Sequence, residues 1–226
     1  MTSVVKRAEA RFKQLCCLGL GGGVVMPALL RELRDIIPCA GSSFFFSNAS
    51  GELTGIYDEN PETARTAPLY VEEFHNRPDR VVGPTFRQSM LTERGVTVPD
   101  ADLWRDKTAF YRSGLFNALL RPLGYDAPIR LVVRDFEGRP LGGLNVYRAP
   151  HAAPFSPAEQ RRLAALESFL ANALMTPDAP DLALIVCSED GDLRFATGEG
   201  RRLLFLAMQP RVASSVPGPQ LPKLPL

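Results

Sequence analysis

Two histidines are all that the sequence offers for imidazole chemistry: His75 in EEFHNR and His151 in APHAAP. Glu72 and Glu73 precede His75, but on a helix only Glu72 and His75, three apart, share a face. Two ligands on one face fall short of a metal site, so the segment reads as a solvated helix surface. No serine sits in a GxSxG elbow and no HExxH occurs, which removes two common hydrolytic patterns. The glycine run GLGGG at 19–23 follows a helical pattern and lacks the GK[ST] ending of a phosphate loop. Cys16, Cys17, Cys39 and Cys187 form no CxxC and have no nearby histidine in sequence. They read as small buried hydrophobes, with thiol redox sensing through the Cys16–Cys17 pair as the alternative. No metal, cofactor or enzymatic activity is expected from these residues.

What remains is chemistry of binding. Aromatic residues gather around the middle of the chain: Tyr57, Tyr70, Phe74, Trp104, Phe110, Tyr111, Phe116 and Tyr125. Tyrosine and tryptophan pair an apolar body with a polar tip, as ligand pockets require. The strand-like stretches contribute Phe44, Phe46, Arg130, Asn145 and Tyr147 as a pocket floor. Arg130 and Asn145 are polar groups in apolar strands, and each needs a partner wherever it faces inward.

The elements that must position these groups follow from periodicity. Residues 3–18 and 25–37 carry apolar stripes of helical spacing, with Pro27 in the first turn of the second helix and Pro38 after its end. Strands are expected at 42–47 and 52–57 around the turn NASG. The region 59–125 is punctuated by Pro61, Pro68, Pro78, Pro84 and Pro99, with short helices at 68–76, 85–91 and 101–111 and a further one in FNALLRPL. That last segment buries Phe116, Leu119, Leu120 and Leu123 against the sheet before Pro122 and Gly124 reverse the chain. A second hairpin spans 129–135 and 141–148, turned by Glu137-Gly138. One long helix at 156–175 opens on the capping box Ser156-Pro157-Ala158-Glu159. The fold class is α+β: a mostly antiparallel sheet flanked by helices, with a long helical insert between two hairpins.

Composition agrees. The chain has 226 residues and a formal net charge of +1, which gives no global attraction to nucleic acid. No apolar run approaches the roughly 20 residues that span a bilayer, and MTSVVKRAEARFKQ is not a signal peptide, so a cytoplasmic protein with no membrane partner is expected. The domains read as 1–176, a start of a second domain at 177–210, and a Pro/Ser-rich flexible tail at 211–226.

The order of elements resembles a GAF-type sensor domain, a fold close to PAS. The phrases FKQLCCLGLGGGVVMPALLREL, IYDENP, FYRSGLFNALLRPLGYDAPIRLVVRD and PFSPAEQRRLAALESFLANAL are similar to the N-terminal region of certain LuxR-type transcriptional regulators. DGDLRFATGEGRRLLFLA is similar to the PAS-like linker that follows there. The resemblance implies signal sensing by a small-molecule effector and a homodimer formed through the 3–18 and 156–175 helices. It places DNA binding in a C-terminal helix-turn-helix domain whose pattern is not seen after Pro210, so this chain is not expected to bind DNA directly. The rival reading is a ligand-free protein-interaction or dimerisation module with a filled core.

Overall fold

Both hairpins form, and they join through their middle strands. The computed structural model describes residues 3–98, 107–126, 128–175, 185–187, 193–197 and 200. Strand β1 (Gly41–Ser47) pairs with β2 (Leu53–Asp58), and β4 (Ile129–Arg134) pairs with β5 (Pro140–Tyr147). β1 also pairs with β5 across the seam, and a short strand β3 (Gly95–Thr97) lines the edge of β4. The sheet order is β2-β1-β5-β4-β3, with every pairing antiparallel. β3 is three residues long, too short to give an alternation signal.

Side chains alternate between the two faces of each strand. Phe44, Ile129, Leu131, Val133, Leu144 and Val146 point to a helical layer and form its core with Phe12, Met26, Leu29, Leu33, Leu163 and Leu170. That layer consists of α1 (Ser3–Cys16), α2 (Gly22–Ile36), α6 (Pro157–Ala164) and α7 (Glu167–Met175). α2 begins three residues earlier than expected, which moves Pro27 inside the helix rather than into its first turn. The helix expected at 156–175 is tightened at Ala165 and Leu166, where Leu166 N–H donates to Leu163 O at 3.1 Å instead of one residue further back. Its capping box is present: Ser156 N–H donates to Glu159 Oε2 at 2.7 Å, and Glu159 N–H to Ser156 Oγ at 3.3 Å.

The insert packs on the opposite face of the sheet. It comprises α3 (Thr63–Leu69) with a π-helical continuation at Tyr70–Phe74, α4 (Phe86–Thr92), β3, α5 (Lys107–Arg112) and a second π-helical turn at Phe116–Leu120. The helix expected from 101 is described from Lys107; residues 101–106 lie outside the described residues. The segment FNALLRPLGY closes through wide bonds, Arg121 N–H to Phe116 O and Tyr125 N–H to Leu120 O, and ends on Gly124 at φ +69°. A left-handed residue there reverses the chain into β4, and glycine adopts it without strain.

The chain divides into units Met1–Asp178 and Ala179–Leu226. In the second, β6 (Ile185–Cys187) and β7 (Leu193–Ala196) form an antiparallel pair. Most of the rest of the second domain start expected at 177–210, and all of the tail at 211–226, lie outside the described residues. Among the described residues no helix is long and apolar enough to cross a membrane, and no three His, Cys, Asp or Glu residues are placed to hold a metal.

Candidate ligand cavity

Two neighbouring rows of side chains cross the insert-facing side of the sheet. The register places Asp58 opposite Ser43, Ser43 opposite Asn145, Asn145 opposite Arg130, and Arg130 opposite Thr97. This polar row runs from β2 to β3, four strand spacings or roughly 19 Å. Beside it, Ile56, Phe45, Gly143 and Val132 form an apolar row in the same register. Above the rows lies a cavity of about 140 Å³, roofed by Tyr70, Phe74, Phe86, Met90, Phe110, Leu115, Leu119, Leu120 and Leu123.

The β3 end of the polar row is internally compensated. Arg130 donates through Nε to Asn145 Oδ1 at 3.1 Å, and through one terminal nitrogen to Ser89 Oγ at 2.5 Å and Glu93 Oε1 at 3.3 Å. Glu93 and Ser89 arrive there because α4 is fixed at both ends. Thr85 and Gln88 form a capping box at its start, and Arg134 donates to the carbonyls of Met90 and Glu93 at its finish. A guanidinium at a helix C-terminus also complements the helix dipole.

The β2 end is built differently. The Tyr125 ring stacks on Tyr147 at 4.4 Å between centroids and 6° between planes. It lies so close over β1 that a Cβ at Gly41 would sit 2.2 Å from its hydroxyl oxygen. Tyr147 shares a hydrogen bond with Ser43 at 3.0 Å. Asp58 Oδ1 accepts from Asn60 N–H at 2.7 Å and from the Tyr125 hydroxyl at 3.5 Å. Burial raises the Asp58 carboxyl above its ordinary range, against the lowering effect of these bonds. Burial also pushes the Tyr70 and Tyr125 phenols up to about 12, and the fully enclosed Tyr147 phenol higher still. All three stay neutral donors at neutral pH.

Seven of the residues expected at the pocket line this cavity: Tyr70, Phe74, Phe110, Tyr125, Arg130, Asn145 and Tyr147. Phe44 and Phe46 do not. They share the other face of β1, Phe44 inside the helical core and Phe46 packed against it at 4.8 Å between rings. Tyr57 pairs with Phe44 across β1 and β2 and follows it to that face. Tyr111 is 42% exposed and donates to Asp126 Oδ1 at 2.7 Å. Phe116 packs against Phe110 and Tyr111 outside the lining, tilted on the first and edge-on to the second, while Leu119, Leu120 and Leu123 of its segment reach the cavity. Trp104 lies outside the described residues.

No protein-family model matches the sequence, and no curated protein matches it. Solved structures do. A GAF domain/HD domain protein from Geobacter sulfurreducens is 19% identical, with a TM-score of 0.46 over 70% of this chain and 94% of that one. The GAF domain of a putative sensor histidine kinase from Pseudomonas syringae pv. tomato is 12% identical, with a TM-score of 0.44 over 90% of each chain. Escherichia coli SdiA is 15% identical, with a TM-score of 0.44 over 80% of this chain and 69% of its own. At these identities the likeness transfers no ligand and no residue role. The α+β sheet with its flanking helices is itself consistent with the GAF/PAS-like arrangement expected from the sequence.

Several lining residues went unread. Phe45, not its neighbours, faces the cavity and meets Tyr70 and Phe86 at 5.6 and 6.0 Å between rings. The run Phe44-Phe45-Phe46 carries no alternation, so it cannot declare which ring faces which way. Asp58 could have been found as the charged residue closing a strand next to an aromatic one. Glu93 owes its place to α4 and β3, and no local signal marks it. Burial pushes the Cys16 thiol up to about 12 and that of Cys39 to about 11, away from the reactive thiolate, whereas Cys17 and Cys187, expected as buried hydrophobes, are exposed.

Proposed function

We propose that the Met1–Asp178 unit is a signal-sensing module that binds a small molecule in the cavity between sheet and insert. The observation that carries this is an unfilled, mostly apolar space of about 140 Å³ over an ordered polar row. An apolar cavity of about 150 Å³ holds a molecule the size of benzene. A filled-core interaction module would have no such space. The resemblance to LuxR-type regulators supports a regulatory setting, in which a homodimer uses the outer faces of α1 and α6. Ligand shifts the insert, and the shift leaves the unit through α7. This works only if ligand binds the two insert positions with different affinity.

Native mass spectrometry of the chain purified from cells tests the reading, with Ala67→Phe as the companion variant because Ala67 lines the cavity from α3. The wild type carries a defined extra mass that the filled variant lacks. Identical spectra from the two proteins would count against the cavity as the binding place.

A further inference from the structure

The cavity's charges do not cancel. Its ionisable lining, phenols aside, is Asp58, Glu93 and Arg130. Arg130 is bound to Glu93, and three strand spacings, roughly 14 Å, separate it from Asp58. No lysine or arginine pairs with Asp58 among the described residues; its contacts are neutral donors, Asn60 N–H, the Tyr125 hydroxyl and the Thr63 side chain. A carboxylate facing an apolar space without a countercharge is costly, and an incoming cation removes that cost. The surroundings suit a cation as well. The stacked rings of Tyr125 and Tyr147 stand beside the carboxylate, and aromatic faces attract organic ammonium groups. The adjoining row of Ile56 and Phe45 offers an apolar bed for the rest of the ligand.

We propose that the cavity selects a small organic ammonium ion with an aryl-sized apolar body, its N–H donors on the Asp58 carboxylate and its body along Phe45. This rests on the reading of the cavity as a ligand site. An anion is disfavoured, because the cavity's guanidinium already has its charge paired with the Glu93 carboxylate.

Three probes of matched shape separate the possibilities when titrated calorimetrically into the full chain at pH 7: 2-phenylethylammonium, 2-phenylethanol and phenylacetate. The ammonium binds at least about tenfold more tightly than the alcohol, equivalent to about 1.4 kcal/mol. In Asp58→Asn that advantage falls to within about twofold, whereas Glu93→Gln retains it. If the alcohol or phenylacetate binds as well as the ammonium, the cation assignment is overturned while the cavity reading stands. If the ammonium advantage survives Asp58→Asn and disappears in Glu93→Gln, the wrong carboxylate has been named. If none of the three binds, the ligand-site reading falls with it.

Discussion

Asp58, the proposed partner of the ammonium, works against the fold that holds it. Its folded-state carboxyl ionises at higher pH than the ordinary 3.8, chiefly because burial penalises the charge. An acid whose folded pKa is raised releases its proton first in the unfolded chain, so its stability contribution falls as pH rises through that window. Asp58→Asn should therefore melt at higher temperature than the wild type at pH 7, and the difference should vanish well below the ordinary 3.8, where both states are protonated. Thermal melts across pH check this; an unchanged or lower melting temperature at pH 7 would mean the carboxylate is well compensated in the folded state. Arg130 is the converse case. Removing it by Arg130→Met leaves Glu93, whose side chain is 5% exposed and whose Oε2 already lacks a partner, without its ion-pair partner. Breaking a buried pair from one side costs about 3–5 kcal/mol. Because Arg130 is itself 26% exposed, the lower end is expected in urea unfolding, with most of it recovered in the double variant Arg130→Met/Glu93→Met.

The elements were legible where periodicity or capping chemistry runs for a whole turn or more. The hairpins, the two N-terminal helices and the Ser156–Glu159 box all come from such signals. Legibility stopped where tertiary contact decides. Three phenylalanines in a row hide the parity of β1, and β3 exists only because α4 delivers Gly95 to the edge of β4. The same dependence makes α4 a supporting element of the site. Thr85→Ala removes its capping hydroxyl, which accepts from Gln88 N–H at 3.3 Å. A loss of about 1 kcal/mol is expected. The consequence particular to this fold is a loosened hold of Ser89 and Glu93 on Arg130. Denaturation with amide hydrogen exchange should show faster exchange along β3 and the end of α4 than along α2. Equal protection in both would detach α4 from the site.

At the scale of the whole unit, one sheet serves two purposes. Its helical side is filled, with Phe12, Met26, Leu29, Leu33 and Leu170 fully enclosed, and it supplies the stability. Its insert side keeps a space open beneath short helices and π-helical turns. Irregular elements of this kind open at lower free energy than core helices and are suited to admitting a ligand. A binding event should therefore be confined to one side. The most direct test is a two-dimensional NMR titration of the full chain with indole, an uncharged probe of suitable size. Amide shifts should concentrate on the insert-facing groups, namely Ser43, Phe45 and Asn145 on the sheet and residues 66–74, 85–93 and 115–125 above it, while α1 and α2 stay unchanged. Perturbations centred on α1 and α2, or none at saturating probe, would contradict a sensor cavity beneath the insert.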